Sequence, residues 1–260
     1  MSRLAVRSLP GLPEVTPGAD LGELIARACS LGDGQIVAIA HKVVSKAERA
    51  IVDLREVDPT GRARELATLG GTAGDAGAGG NRAKDPRVVQ VVLDQATEVL
   101  RAERGVIVCR THHGFVCANA GVDASNVEHA DTVVVLPVDP DGSARRIRAR
   151  LRELTGASVG VLISDSFGRA WRHGQCDVAI GCAGIAPLED WRGRIDSHGR
   201  ELHATWLALA DAIAAASELA RAKDSGEPVV VFDGLERFVT DDDGPGAAAL
   251  VRPVEEDLFR

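Results

Sequence analysis

The sequence predicts a mixed α/β (α+β) domain, and three observations carry that expectation. Short apolar runs of strand length, Ile36-Val37-Ala38-Ile39-Ala40, Thr132–Leu136, Val159–Ser164 and Val229–Phe232, are of the kind a sheet buries on both faces. Amphipathic stretches with apolar residues at helical spacing stand between them. The two kinds of element do not alternate strictly as βαβ, and no repeat of ~20–50 residues, the solenoid period, recurs. The chain of 260 residues is 45% hydrophobic and 26% charged, an ordinary globular balance, and is read as a single domain over 1–260.

Taken in order, Asp20 is an N-cap for a helix carrying Leu21, Leu24, Ile25 and Ala28, which Gly32-Asp33-Gly34 follows. The strand Ile36–Ala40 delivers His41-Lys42-Val43-Val44-Ser45-Lys46 at its exit. Residues 70–84, GGTAGDAGAGGNRAK, almost lack apolar bulk and are expected to be a flexible insertion. Asp85-Pro86 caps a helix with proline at its first position, and Val88, Val89, Val92, Leu93, Val99 and Leu100 are assigned to its apolar face. Val106–Cys109 and Phe115–Ala118 read as two strands joined at His112-His113-Gly114. Pro140-Asp141-Gly142-Ser143 leads into a helix with Ile147, Leu151 and Leu154, and the strand Val159–Ser164 ends at Asp165. A long helix is expected over 203–222, before the last strand.

Composition excludes several classes of function. No run of ~18 apolar residues is present, so no membrane helix is expected. The first residues, MSRLAVRSLPGLPEV, lack the apolar core of a secretory signal, which makes the cytoplasm the expected location. A net charge of −8 without a basic stripe argues against nucleic acid as a partner. Five cysteines without CxxC spacing are expected to be reduced thiols. Asp241-Asp242-Asp243 reads as a solvated acidic loop. Four lysines stand against 26 arginines, and two of the four, Lys42 and Lys46, lie one helical turn apart.

Three segments hold groups suited to chemistry. Asn119-Ala120-Gly121-Val122-Asp123-Ala124-Ser125-Asn126 sets one carboxylate and two amides among small residues; this is either a hydrogen-bonded turn or an oxygen-donor site for a hard cation. Val161 to Arg169 delivers Asp165 and Ser166 to the C-terminal end of a strand, where ligands of open α/β sheets bind. Arg169 follows with a planar fork suited to phosphate or carboxylate. Lys42 and Lys46 can reach phosphates, or can be ordinary solvated lysines. No P-loop, GxSxG or HExxH motif is present.

In order along the chain, Pro10-Gly11-Leu12-Pro13, Lys42-Val43-Val44-Ser45-Lys46-Ala47-Glu48, NAGVDASN at 119–126, LPVDPDGSA at 136–144 and ISDSFGRAWRHGQ at 163–175 resemble the coenzyme F-420-0:L-glutamate ligase family, in its stand-alone form. The resemblance runs from about residue 8 to the end, interrupted by the insertion. It implies an intertwined homodimer and a GTP-dependent reaction. GTP phosphorylates the terminal carboxylate of the deazaflavin precursor F-420-0, and L-glutamate displaces the phosphate to form an amide. Two divalent cations, Mn2+ or Mg2+, neutralise the triphosphate, which reconciles an acidic protein with an anionic co-substrate.

Carried over to this chain, the resemblance implies that Asp123 and Asp165 hold one cation and Ser166, where threonine is usual, the second. Arg169 joins the two aspartates as a catalytic candidate. Nucleotide contacts fall to Pro10, Gly11, Leu12, Pro13, His41, Lys42, Lys46 and Asn126. The chain departs from the family towards its C-terminal end. A glycine-rich loop with an acidic residue that helps hold the second cation reads Arg221-Ala222-Lys223 here, with Glu218 and Asp224 as the possible substitutes. These departures leave two alternatives: an amide ligase acting on a different acid and amine, and a non-catalytic nucleotide- or cofactor-binding relative.

Overall fold

The computed structural model describes residues 3–69, 84–124 and 131–257. The predicted insertion therefore lies almost wholly outside the described residues. In chain order the elements are β1 (Ala5–Ser8), α1 (Leu21–Ala28), β2 (Ile36–Ala40), α2 (His41–Ala47), β3 (Ile51–Asp53), α3 (Gly61–Thr68), α4 (Pro86–Gln95) and β4 (Ala96–Glu103). Then follow β5 (Val106–Thr111), β6 (Val116–Ala118), β7 (Thr132–Val134), α5 (Pro140–Thr155), β8 (Gly160–Arg169) and β9 (Arg172–Ala183). The chain ends with β10 (Leu188–Asp190), β11 (Trp206–Ala208), α6 (Leu209–Ser217) and β12 (Val229–Asp233).

Three of the predicted apolar runs meet in one five-stranded sheet of order β1-β12-β2-β8-β9. β2 and β8 pair in parallel, and the other neighbours are antiparallel. Strand alternation sends Val37, Ile39, Val161 and Ile163 to one face, where Ile25 of α1 and Leu151 of α5 cover them. Ile36, Ala38, Leu162, Val230 and Phe232 point to the other face, beneath Leu209 and Ile213 of α6. Helices thus cover both faces, which is why these strands are apolar without interruption. The Asp20 cap holds as predicted: its Oδ1 accepts from Glu23 N at 2.9 Å. A smaller layer packs α3 and α4 on the sheet β4-β5-β6 through Ala63, Val89, Val92, Ile107 and Cys109. The five cysteines are free thiols.

Four expectations are corrected. Val99 and Leu100 are not on a helix: α4 stops at Gln95, and the chain continues as β4, with Val99 opposite Cys109 of β5. A strand turns consecutive residues to opposite faces, so Val99 packs inward while Leu100 is exposed. The long helix over 203–222 shrinks to α6, because residues 206–208 pair with 188–190 and Ser217 Oγ turns back to Ala214 O. β8 does not end at Asp165 but runs to Arg169 as one arm of a hairpin with β9. Asp243 is not merely solvated: its Oδ1 accepts from Arg148 Nη1 at 2.7 Å.

Candidate functional site

β2 and β8 run side by side as far as the pair Ala40 and Ser164, and there they part. β2 turns directly into α2 at His41, while β8 continues with β9 alone. Among the described residues, no strand pairs with the β2 side of β8 from Asp165 onward, where the parallel pairing ends. The register of β8 against β9 shifts between Ile163 and Ser164, a bulge immediately before Asp165. Bulges of this kind re-aim side chains next to functional sites.

The start of α2 gathers the two predicted cation ligands. His41 is buried, and its Nε2 lies 3.2 Å from Asp165 Oδ1. The same oxygen accepts from Ser166 N at 2.7 Å. The next residue, Lys42, places Nζ 2.7 Å from Asp123 Oδ2. Asp123 is held by its backbone, exchanging two bonds of 2.9 Å with Val134 of β7. One turn along α2, Lys46 Nζ meets Glu14 Oε1 at 2.5 Å, tying the Pro10–Pro13 turn to the same helix. Gly11 in that turn has φ 78°, a conformation glycine adopts without strain.

The NAGVD segment is shaped by three successive left-handed residues, Asn119, Ala120 and Gly121. A Cβ on Gly121 would stand 2.7 Å from Leu136 Cγ, so this position combines positive φ with close packing. Asn119 Oδ1 accepts from Lys84 Nζ at 2.7 Å. Burial holds the Lys84 ammonium below the usual lysine range. Burial, reinforced by the Asp165 carboxylate, pushes the Cys117 thiol up to about 12, so it is no nucleophile at neutral pH.

Ser166 departs from its neighbour. Its Oγ donates to Asp177 Oδ1 at 2.6 Å, directly across the hairpin, and accepts from Lys223 Nζ at 2.7 Å. Asp177 Oδ2 accepts from Ser164 Oγ at 2.9 Å and pairs with the Arg221 guanidinium. Arg221 also donates to Ser164 Oγ at 3.0 Å and to Pro228 O at 2.9 Å. Glu218 Oε2 accepts from Asp177 N at 2.9 Å, and Asp224 is exposed.

Asp123, Asp165, His41, Lys42 and Lys46, with the Pro10–Pro13 turn, thus come together around α2. Ser166 joins a separate network on β9. Arg169 joins neither: it is exposed at the hairpin tip and donates to His173 O at 2.7 Å. Asn126 lies outside the described residues. Sequence reasoning gave no role to Asp177 or Lys84 and treated residues 221–223 as a loss. A usable signal was the scarcity of lysine, since each of the four lysines ends on one of these segments.

Asp123 and Asp165 fit one hard divalent cation, which takes one or two carboxylates and completes its shell with phosphates and water. Asp165 faces His41 and Asp123 faces Lys42. Among the described residues, no three His, Cys, Asp or Glu side chains converge. The surroundings of Ser166 do not fit a second ion, because the carboxylate beside it, Asp177, is buried, paired with the Arg221 guanidinium and committed on both oxygens.

A family profile described as F420-0:Gamma-glutamyl ligase matches residues 11–234. The chain is 45% identical over 259 residues to the Coenzyme F420:L-glutamate ligase of Methanopyrus kandleri, covering 99% of this chain and 98% of that one. It is 40% identical over 263 residues to the protein of that name in Methanothermobacter thermautotrophicus, covering 99% of each. For the Archaeoglobus fulgidus protein of that name the identity is 39% over 260 residues, 99% of this chain and 97% of the relative. With the match extending over nearly the whole length, the chain belongs to the F420-0:gamma-glutamyl ligase family.

Proposed function

We propose that this protein is a ligase that uses GTP to join L-glutamate to the terminal carboxylate of the deazaflavin precursor F-420-0. The observation that carries this reading is the convergence of Asp123 and Asp165 on consecutive residues of α2, at the open end of two parallel strands. It stands in a chain whose full-length relatives bear the name of that activity.

The reaction needs two transfers. A substrate carboxylate oxygen bonds to the γ-phosphorus of GTP, the bond to the bridging oxygen breaks, and GDP leaves. The glutamate amine then bonds to the acyl carbon, the phosphate leaves with its bridging oxygen, and the amine gives up a proton. A divalent cation, Mn2+ or Mg2+, supplies charge neutralisation for the triphosphate. Asp123 and Asp165 would hold it. Lys42 and Lys46, carried on one helix, would turn from Asp123 and Glu14 to phosphate oxygens, and the Pro10–Pro13 turn would border the nucleotide. Arg169, at the tip of an exposed hairpin, would meet an anionic substrate through its guanidinium.

A homodimer belongs to the same reading. The β10–β11 hairpin leaves Trp206 and Leu207 largely exposed, together with Ile195 between its strands. A second copy would cover such a surface, and sedimentation of the full chain tests it.

The test of function is a ligation assay read by mass spectrometry, with F-420-0, L-glutamate, GTP and Mn2+. A gain of one or more glutamyl units, lost in Asp165→Asn, is the expected result. GTP turnover with another acid but none with F-420-0 would overturn the substrate assignment.

A further inference from the structure

Ser166 carries the hydroxyl that the family resemblance implies on a second divalent cation, yet the protein already brings positive charge to it. Lys223 Nζ donates to Ser166 Oγ at 2.7 Å. Ser166 Oγ spends its proton on Asp177 Oδ1 at 2.6 Å. Asp177 has only 4% of its side chain exposed and is paired with Arg221, itself 11% exposed and anchored on Pro228 O. Both Asp177 oxygens are therefore engaged, and the carboxylate is neutralised by a fixed guanidinium. Glu218 is turned to the Asp177 N–H. A divalent ion on Ser166 would share its ligand oxygen with an ammonium and would find the nearest carboxylate, Asp177, engaged on both oxygens.

We propose that the Lys223 ammonium takes the place of the second divalent cation, so that this ligase clamps the triphosphate with one metal ion and one lysine. The proposal rests on the GTP-dependent reading above. Its geometry follows from the open edge of β8. Asp165 and Ser166 are consecutive, so their side chains leave opposite faces of the strand. Beyond Ser164 no strand lies on the β2 side of β8 among the described residues, so a phosphate chain along that edge is reachable from both faces. Lys223 is exposed, and an ammonium with one N–H on Ser166 keeps two donors for phosphate oxygens. Residues 221–223, one of the places where the chain departs from the family pattern, supply the two basic side chains of this network. Their basic character is a replacement for a metal ligand rather than a loss.

The test counts Mn2+ bound per bound molecule of a non-hydrolysable GTP analogue, by equilibrium dialysis of the full chain with metal analysis. The expected value for the unaltered protein is one. Lys223→Ala should keep one Mn2+ and weaken the analogue about tenfold, the loss of a charge-assisted hydrogen bond. Lys223→Glu, which sets a carboxylate beside Ser166, should raise the count to two. Lys223→Arg should keep the count of one. Two Mn2+ in the unaltered protein with tight analogue binding would overturn the lysine assignment alone. Unchanged affinity in Lys223→Ala would do the same. No analogue binding by the unaltered protein at any Mn2+ concentration would instead bring down the GTP reading, and this inference with it.

Discussion

Lys42 Nζ stands 2.7 Å from Asp123 Oδ2, so the ammonium that would serve a phosphate is the counter-ion of a carboxylate that would serve a metal. The two roles exclude each other. A cation arriving at Asp123 meets like charge, and the repulsion is relieved when Lys42 turns to the nucleotide. Lys42→Met should therefore bind Mn2+ several-fold more tightly without nucleotide. The same variant should bind a GTP analogue about tenfold more weakly, since a charged hydrogen bond is lost. Mn2+ titration by electron paramagnetic resonance and calorimetry with the analogue separate the two effects. A variant weakened for both ligands would show that Lys42 supports the fold of the site instead.

Arg148 fastens the C-terminal segment to the core and should be costly to truncate. Its side chain is buried in α5, with Nε donating to Val159 O at 2.9 Å and Nη2 to Thr240 O at 2.6 Å. Nη1 meets the half-exposed Asp243 at 2.7 Å, a contact that solvent weakens. Arg148→Ala removes the donor to three carbonyl oxygens, those of Val159, Thr240 and Asp241, and leaves a cavity. The expected loss is about 2–4 kcal/mol, most of it from unsatisfied acceptors, measured by denaturant unfolding. Asp243→Asn should cost less than about 1 kcal/mol. Equal losses for the two variants would place the energy in the ion pair instead.

The parts of the fold legible in the sequence are those with a local signature. β2 and β12 announce themselves as apolar because helices cover both their faces, and Asp20 and Asp85 announce α1 and α4 as caps. β4 was not legible, because its pairing with β5, not its own composition, makes it a strand. The site divides along the same line. His41 and Lys42 lie at the exit of β2, Asp165 follows the apolar run of β8 and Asp123 sits in the NAGVD segment after β6, so all four can be read from their neighbours. Lys223 reaches Ser166 across 57 residues and Arg221 reaches Asp177 across 44. Such contacts leave no local pattern, and what marked Lys223 was the scarcity of lysine and the departure of 221–223 from the family pattern.

Gly181 should tolerate no side chain. It faces Ile163 across the hairpin, and a Cβ there would lie 2.5 Å from the carbonyl carbon and oxygen of Pro140. Those are backbone atoms in the first turn of α5. That turn is tied down by Asp141 Oδ1, which accepts from Cys182 N at 2.8 Å and Ala247 N at 2.7 Å. Neither partner can yield cheaply. Gly181→Ala should cost about 1–3 kcal/mol, lowering Tm by roughly 2–10 °C in a domain of this size. Gly32→Ala, with nothing within 4 Å of the added carbon, is the matched control and should leave Tm nearly unchanged.

Asp211 should make the protein less stable at neutral pH than its amide would. Burial raises its carboxyl above the ordinary value of 3.8, and the bond from Ala179 N to Oδ1 at 2.9 Å pulls the other way without offsetting it. A folded-state value above the unfolded one fixes the sign. Below the unfolded value the group is protonated in both states and costs nothing. As pH rises through the raised folded value, the native state must hold a charge away from water, and stability falls relative to a chain without that group. Asp211→Asn removes the charge and keeps an oxygen for the Ala179 N–H. It should therefore melt above the parent at pH 7.5, with the gap narrowing as pH falls towards the ordinary carboxyl value of 3.8. Thermal unfolding of both proteins from pH 4 to pH 8, about the span over which most proteins stay folded, measures that gap. A variant that melts below the parent at pH 7.5 would mean that the first turn of α6, where Asp211 sits, favours the carboxylate by more than burial costs it.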